Sequence, residues 1–203
     1  MIFTRRGINI DSYPVIKQYL ENFKDNLTPK KTSSQKMGRK PGDYKWYEIQ
    51  DTIAYYKEFE KPKIIYGKIT TQPRFTYDEG GYLINDSNFF FPVKDFHLLA
   101  ILNSKLGWFL ISNTCTQIRG GYQLIWKYFG NVPITKNKSP KLERLVEEML
   151  HLQKKYHEEG LTGNENERLE QQIRNIDYEI DQEVCRLYGI TKEEQRIIEE
   201  SLK

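Results

Sequence analysis

The stretch that decides the fold is Phe96-His97-Leu98-Leu99-Ala100-Ile101-Leu102-Asn103-Ser104-Lys105-Leu106, near the middle of a chain of 203 residues. Its apolar residues predict one helix over 96–102 and, after a break at Asn103-Ser104, a second helix over 106–111. Several short strand signals precede these helices. Strands and helices mixed in this way indicate an α+β fold, here a compact mixed α/β body.

The strand signals lie on the N-terminal side of that stretch. Residues 63–69 are rich in Ile and Tyr and follow a proline, so they predict a strand. Residues 74–77 predict a second short strand, with a turn over 78–81. Residues 88–93 contain three consecutive phenylalanines and predict a buried strand.

Further upstream, the sequence predicts an extended lead-in and one helix within residues 1–28. Asp11 or Ser12 would cap this helix, with Pro14 in its first turn. We expect one face of the helix to pack, because apolar residues recur there at helical spacing. They are Val15, Ile16, Tyr19, Leu20 and Phe23. Residues 29–45 carry five positive charges before Asp43 and no acid, and their Gly, Pro and Ser content argues against regular structure.

The last third of the chain predicts a helical hairpin. Two sets of apolar residues, spaced mostly three and four apart, predict the seam of two packed helices. We expect these helices to form an antiparallel, coiled-coil-like arm. The sets are Leu142, Leu145, Met149, Leu152 and Tyr156, then Leu169, Ile173, Ile176, Ile180 and Leu187. Gly160 and Gly163 break the chain between them, Gly189 ends the second helix, and Thr191 caps a short third helix.

These signals divide the chain into four parts. Residues 1–28 are the lead-in and helix, 29–45 the basic loop, 46–138 the main domain, and 139–203 the hairpin arm with its terminal short helix. Charge follows the same division. Residues 1–140 hold 21 Lys and Arg against 12 Asp and Glu, whereas the remainder holds 10 against 16. The basic body is expected to be drawn to phosphates, and the acidic arm is expected to be repelled by them.

Composition narrows the class of protein. A hydrophobic content of 38% supports a packed core. No apolar run approaches the roughly 18 residues of a membrane span, and the N-terminus does not resemble a signal peptide. Cys115 and Cys185 lack metal-ligand spacing and are expected to be reduced, packed thiols. We therefore expect a cytoplasmic protein that does not contact membranes.

An ordered series of short motifs resembles a known family. The series is Tyr13-Pro14, Trp46-Tyr47, Lys61-Pro62-Lys63, Leu102-Asn103-Ser104, Arg119-Gly120-Gly121-Tyr122 and Pro133-Ile134. It resembles the TaqI-like C-terminal specificity domain, the DNA target-recognition module of adenine-specific methyltransferases and type IIG restriction-modification enzymes. That module is similar in fold to the recognition domains of type I restriction specificity subunits. The resemblance implies that the main domain reads a short sequence in duplex DNA.

The chain departs from the whole-enzyme pattern of that family. It contains no Pro-Pro, so the Asn/Asp-Pro-Pro-Tyr/Phe tetrapeptide that grips a flipped adenine is absent, and it has no Gly-rich cofactor loop or Glu-x-Lys triplet. We expect no catalytic residue, metal or cofactor in this chain. S-adenosylmethionine and Mg would belong to separate catalytic domains. The chain is expected to be a fragment or a subunit that works with a methyltransferase or endonuclease partner.

Three segments are candidates for DNA contact. In the basic loop, Lys36, Arg39, Lys40 and Lys45 would bind phosphates, although an ordinary solvated loop has the same composition. Around a strand end lie Lys68, Thr70, Gln72 and Arg74. Gln suits adenine N6/N7 and Arg suits guanine O6/N7, although this segment also suits a plain loop.

The third segment is glycine-containing and basic. Its residues are Arg119, Gly120, Gly121, Tyr122, Gln123 and Lys127. The glycines permit positive φ and close approach to a phosphate or base, and the alternative is a plain turn before a strand. Trp108 and Trp126 are expected in the core rather than stacked on bases. Asp43, Glu48 and Asp51 are expected to be caps and surface partners rather than metal ligands.

Two other functions stay open at this point. The chain could be a compact metal-dependent nuclease, with Glu48 and Asp51 as the residues to test. It could instead be a protein-interaction scaffold that binds through the helical arm. The arm also leaves a homodimer possible, because a seam of this length can form within one chain or between two.

Overall fold

The structure is a computed structural model that describes residues 2–32, 34–51, 54–157 and 162–202. The chain divides into two units, Met1–Lys57 and Glu58–Lys203, and a 3-10 segment, Ala54–Glu60, spans the division. The division into four parts stays a prediction. The predicted boundaries after residues 45 and 138 fall inside the first and the second unit, respectively.

The first unit begins with a 3-10 turn, Ile10–Ser12, followed by helices α1 (Pro14–Glu21) and α2 (Lys24–Leu27). Asn9 caps the 3-10 turn, whereas Tyr13 occupies the N-cap of α1 without a side-chain hydrogen bond. The prediction that Asp11 or Ser12 caps this helix is therefore wrong. The Asp11 carboxylate pairs with Lys17 Nζ at 2.7 Å instead.

The apolar face of α1 is mostly solvent-exposed. Val15 is 78% exposed, and Tyr19 and Phe23 are also exposed, while Ile16 and Leu20 are half-buried. The predicted packing of this face is thus wrong for three of its five residues. An eight-residue helix turns an apolar face inward only if a core lies beside it. No residue of α1 is buried in the first unit as described.

Hydrogen bonds hold the described residues of the loop that follows α2. Pro29 and Arg39 make an isolated bridge, and the Arg39 N–H donates to Thr28 O at 3.0 Å. The Glu48 carboxylate then accepts from the backbone N–H of Gly7 and of Lys45, both at 2.8 Å. These bonds tie the Trp46-Tyr47 region to the lead-in, because a buried carboxylate needs donors wherever the chain offers them.

The second unit contains two three-stranded antiparallel sheets. In the first, β1 (Lys63–Gly67) lies between β3 (Thr76–Asp78) and β4 (Asn88–Phe91). In the second, β6 (Gly121–Gln123) lies between β2 (Ile69–Thr70) and β5 (Thr116–Ile118). The strand predictions are confirmed in position, but the predicted strand 63–69 is divided between the two sheets. The phenylalanines of β4 are half-buried rather than buried.

Helices α3 (Phe96–Asn103) and α4 (Lys105–Thr114) confirm the prediction made from the central stretch. Asp95 caps α3 by accepting from Leu98 N, and Ser104 caps α4 by accepting from Gly107 N. The two helices meet so closely that a Cβ on Gly107 would lie 1.8 Å from Ile101 O. A one-turn helix, α5 (Trp126–Phe129), follows β6 and was not predicted.

The predicted helical hairpin is confirmed. Helix α6 (Pro140–Tyr156) packs along α7 (Gly163–Tyr188), and α8 (Lys192–Ser201) follows with Thr191 as its cap. The pair is antiparallel, since the first turn of α6 pairs with α7 through Lys141 and Glu179 (3.5 Å), and its last turn through Tyr156 and Glu170 (2.8 Å). Gly189, at φ 70°, ends α7. Gly160 lies outside the described residues.

The hairpin and the main domain share one apolar core. Helix α3 packs against α6 and α7, and fully buried side chains come from both regions, including Ile64, Ile101, Ile111, Leu142 and Val184. This sharing explains why no unit boundary falls after residue 138. The predicted α+β class is confirmed. Among the described residues, no helix has the length and apolar content needed to cross a membrane.

Candidate nucleic-acid interface

The pairing of β2 with β6 brings two of the candidate segments together. Ile69 pairs with Gln123 and Thr70 with Tyr122 in an antiparallel register. The end of β2 and the start of β6 therefore lie at the same end of the sheet. The loop 71–74, which follows β2, and the turn Arg119-Gly120, which precedes β6, are neighbours in space although they are far apart in sequence.

Gly121 makes this close approach possible. A Cβ at this position would lie 2.7 Å from Thr70 O, closer than side-chain carbons approach backbone oxygen. The residue is buried against β2 for that reason. The glycine predicted to allow close approach to DNA is thus used to pack one loop against the other.

Arg119 and Gly120 form the two-residue turn of the hairpin β5–β6. Ile118 pairs with Gly121, and the two turn residues have φ of 52° and 77°. Positive φ at both central positions is the signature of a type I′ turn, which usually carries Asn-Gly. Arg119 is the one non-glycine residue with positive φ in the described part of the chain. Its side chain and all of β5 are exposed, so this strained position holds a cation in solvent.

The other loop is fixed at both ends. The Thr70 hydroxyl donates to Gln72 O at 2.6 Å, which closes the first turn of the loop. At the far end, the Asn103 amide brackets Phe75: Phe75 N donates to Oδ1 at 3.0 Å, and Nδ2 donates to Phe75 O at 2.9 Å. Asn103 Nδ2 also donates to Leu99 O at 3.1 Å. The loop that carries Gln72 and Arg74 is therefore held from the core.

Within this loop, Gln72 and Arg74 are exposed and face each other. Because a guanidinium carries only donors, we assign the amide oxygen, rather than the nitrogen, to the side of Gln72 that faces Arg74. In that orientation Gln72 Oε1 accepts from Arg74 Nε at 2.6 Å and from Arg74 Nη2. Two residues predicted to read bases separately are thus paired.

The remaining candidates of the second unit have more varied positions. Lys68 is half-buried, with Nζ 5.0 Å from the centre of the Phe89 ring. Tyr122 packs edge-on against Trp108 at 5.4 Å, and Gln123 is half-buried between β2 and β5. Lys127 is exposed on α5. Its neighbour Trp126 contacts Phe91, which pairs with Ile64 at the other end of β1 from the loops, so Lys127 is not grouped with them.

Of the two tryptophans that were expected in the core, Trp108 lies there and Trp126 does not. Trp126 is 70% exposed and borders an apolar groove of about 270 Å³, so the expectation that it belongs to the core is wrong. Trp108 packs against the core as expected. Position within a short amphipathic helix does not reveal which face meets the core, because α5 has only one turn.

The candidates of the basic loop belong to the first unit. Arg39 is engaged in the fold: Nε donates to Leu27 O at 2.6 Å, and Nη2 donates to Trp46 O at 2.9 Å and to Glu48 O at 2.7 Å. These bonds make Arg39 a clamp of this loop, and its predicted contact with phosphate stays a prediction. The other three candidates, Lys36, Lys40 and Lys45, are exposed. Lys40 Nζ lies 3.8 Å from the Asp51 carboxylate.

Sequence reasoning missed the buried pair Lys63–Asp78. Lys63 is fully buried, and its Nζ donates to the Asp78 carboxylate and to Phe59 O at 2.6 Å. Burial opposes ionisation of Asp78, but the Lys63 ammonium and the N–H groups of Gly80 and Tyr82 outweigh it and lower the Asp78 pKa. A lysine inside an apolar strand, with an aspartate at the next turn, was the available signal.

Neither a cluster of metal ligands nor an exposed thiol occurs in the described part of the chain. Among the described residues, no three or more His, Cys, Asp and Glu side chains converge as a metal site would require. Glu48 binds backbone: burial opposes its ionisation, but the N–H groups of Lys45 and Gly7 lower its pKa. Cys115 and Cys185 are confirmed as buried free thiols, and burial raises the pKa of each to about 11.

The second unit presents two adjacent loops on a packed core. They lie in segments, 61–77 and 96–140, that contain no Asp or Glu, and they carry exposed Arg and Gln side chains. Comparison with protein families matches residues 4–134 to the TaqI-like C-terminal specificity domain. The match covers well over half of the chain, and the chain belongs to this family. The resemblance expected from the motif series is confirmed.

Proposed function

We propose that this chain recognises a short sequence in duplex DNA as the specificity domain of a restriction-modification enzyme, with N6-adenine methylation or cleavage supplied by a partner. The observation that carries the proposal is the pairing of β2 with β6, which sets the 71–74 loop beside the Arg119-Gly120 turn. Family membership supports DNA sequence recognition as the task of these loops.

The chemistry of the loops suits base edges in a groove. A two-stranded β-ribbon fits the major groove, and Arg and Gln donate to base acceptors there. The exposed hairpin β5–β6 offers such a ribbon, with Arg119 at its tip. Lys68 and the exposed lysines of the first unit, Lys36, Lys40 and Lys45, would contact phosphates, which positions the domain without reading sequence. This assignment of roles is part of the proposal.

A titration of the purified chain with a pool of random-sequence duplexes tests the proposal. Fluorescence anisotropy is recorded at low and at physiological salt, and the bound DNA is sequenced. We expect binding that weakens steeply with salt, together with an enriched motif of a few base pairs. Binding without enrichment would leave a DNA-holding domain whose specificity needs a partner. Absence of binding at low salt would reject the proposal.

A protein partner is the second candidate, and the apolar groove favours it. Ten residues without a charged or amide side chain line this groove, among them Val93, Trp126 and Ile134, each more than a third exposed. A cluster of this kind marks contact with protein more often than with DNA. We propose that the catalytic partner, whether a separate subunit or another domain, binds this chain at the apolar groove.

The two candidates are separable by one pair of variants. Trp126→Ala should weaken a hetero-complex with the methyltransferase partner and leave DNA affinity unchanged. Arg119→Gly should do the reverse. A scaffold that works only through protein contacts would show no DNA retention in either variant. Homodimerisation through the helical arm stays a prediction, which sedimentation equilibrium of the chain over a range of concentrations would test.

A further inference from the structure

The pairing of Gln72 with Arg74 restricts which base the loop can read. With the amide oxygen assigned to the side that faces Arg74, Gln72 Oε1, the acceptor of the amide, accepts from Arg74 Nε at 2.6 Å and from Nη2. What remains on the exposed surface of the pair is the Gln72 NH₂, Arg74 Nη1 and the second hydrogen of Nη2. All of these groups are donors.

A donor-only surface distinguishes the two purines. In the major groove, adenine presents an acceptor at N7 and a donor at N6, so its bidentate partner must supply one donor and one acceptor. Guanine presents two acceptors, N7 and O6, and is matched by two donors. With its oxygen occupied, Gln72 has lost the group that adenine requires. The pair retains the groups that guanine requires.

We propose that Gln72 and Arg74 act as one unit that reads guanine, with Arg74 as the base contact and Gln72 as its positioning residue. The inference rests on the proposed function and adds to it the identity of one base. It replaces the expectation, drawn from residue types alone, that Gln72 reads adenine.

The surroundings of the pair hold it in place before DNA arrives. Thr70 closes the turn that precedes Gln72, and Asn103 brackets the backbone of Phe75, directly after Arg74. Pro73 restricts the backbone between the two residues. An arginine oriented in advance loses less side-chain freedom on binding, and this raises the discrimination between bases. Asn103 is thus a second positioning residue, acting through the loop from the core.

Free Arg74 would behave differently. Without the amide, its guanidinium could rotate toward a phosphate, which gives affinity but no sequence preference. Arg74 also lines an open pocket of about 370 Å³ with Thr70, Thr76 and Asn88, a recess beside the loop whose other lining is backbone and uncharged side chains. Among the described residues that line this recess there is no Asp or Glu to form an ion pair with Arg74, and the contact that orients its guanidinium is the one with Gln72.

The test compares guanine with 7-deazaguanine at each guanine of the motif selected by the wild-type chain. The analogue lacks the N7 acceptor and keeps the rest of the base pair. At the position read by Arg74, we expect the analogue to lower wild-type affinity about tenfold. Arg74→Ala should bind the guanine duplex about tenfold more weakly than wild type and should show no further loss with the analogue. This non-additivity identifies a direct contact.

Two further variants separate positioning from reading. Gln72→Met keeps the length of the side chain and removes the amide, so the guanine preference should fall several-fold while non-specific affinity stays constant. Asn103→Leu should have the same effect by loosening the loop. Because Asn103→Leu also destabilises the core, it is compared with Leu142→Ala, a core variant in the hairpin that should leave the guanine preference intact. Arg144→Ala, the loss of an exposed arginine on α6, controls for charge.

The outcomes distinguish this inference from the proposed function. A wild-type chain that binds no DNA at low salt would overturn both, and a chain that binds DNA without enriching a motif would overturn the inference alone. A motif whose guanine preference survives Arg74→Ala would overturn the inference alone and leave DNA recognition standing. The inference would also be overturned if the wild-type motif contains an adenine and Gln72→Met loses the preference for it. That result would show that the Gln72 amide reads adenine directly.

Discussion

The two sheets of the second unit are alike in size and opposite in environment. In the sheet β3-β1-β4, Lys63 and Ile64 are fully buried and Tyr66 is 5% exposed. In the sheet β2-β6-β5, Gly121 is the one buried strand residue and every residue of β5 is exposed. The first sheet is a frame for the core, whereas the second is a surface available to a partner.

This difference explains why the positively charged side chains of the two sheets have different partners. A buried lysine needs a partner with full charge, and Asp78 supplies it to Lys63. An exposed arginine needs no fully charged partner for folding, and the exposed side chains of Arg74 and Arg119 are therefore available for the DNA contacts proposed above. The strained turn at Arg119 supports this reading, since packing does not require an arginine there.

The largest effect on stability should follow from removing the buried ion pair of the first sheet. Lys63→Met leaves the Asp78 carboxylate buried without its ammonium partner, and we expect a loss of about 3–5 kcal/mol in the free energy of unfolding. Urea denaturation followed by circular dichroism measures it. Lys61→Met is the matched control, because Lys61 belongs to the same Lys-Pro-Lys motif but forms an exposed pair with Glu58 at 2.7 Å. Equal losses in both variants would contradict the comparison.

The packing of the helical hairpin should weaken in acid through Glu183, which lies on α7. Hydrogen bonds from Arg186 lower the pKa of this carboxyl to about 2, against opposing burial and with help from Ser139. Since the folded pKa lies below the ordinary value, its stabilisation is present above about pH 4.5 and is lost as the pH falls toward 2. We expect a loss of roughly 2 kcal/mol between pH 5 and pH 3.

Glu183→Gln should remove this part of the pH dependence. The difference between the stabilities of wild type and variant, measured at each pH, isolates Glu183 from the other acids. Glu179→Gln is the control, because Glu179 is about half exposed and pairs with Lys141 at 3.5 Å. A difference that does not shrink in acid would show that Glu183 is not the group responsible.

A substitution in the second sheet, β2-β6-β5, should reduce the free energy of unfolding less than Lys63→Met does. It should have a larger effect on DNA recognition. Gly121→Ala places a Cβ 2.7 Å from Thr70 O, so β6 must move away from β2. We expect a cost of about 1 kcal/mol, the low end of overpacking, and loss of the enriched DNA motif because the two loops separate. Gly163→Ala, where nothing lies within 4 Å, is the control and should bind DNA normally.

The smallest effect on stability, and of opposite sign, is expected for Arg119→Gly. Glycine adopts φ of 52° without the penalty that a side chain incurs, so the free energy of unfolding should rise by up to about 1 kcal/mol. DNA affinity should fall at the same time. If Arg119 contacts a phosphate, the slope of log affinity against log salt should drop by about 0.9. A variant that binds DNA as wild type does would remove Arg119 from the interface.

Local periodicity allowed much of the fold to be predicted. Helices α3, α4, α6 and α7 follow from apolar spacing and capping residues that lie within a few positions of one another. The strand positions follow from β-branched and aromatic runs between turn residues. Short helices were predicted less well, because α1 and α5 have too few turns to reveal which face is buried. Val15 and Trp126 were therefore expected to be buried, and both are exposed.

The sequence by itself determined the class of fold, the segregation of charge, the candidate loops and the family, because these depend on residue types and on neighbours along the chain. Tertiary structure alone decided that β2 pairs with β6, that Lys63 meets Asp78, that Arg39 clamps its own loop, and that Gln72 faces Arg74. These contacts depend on register and on side-chain direction after the chain has folded. A one-residue slip would reverse each strand's faces, and no local pattern encodes which distant partner is met.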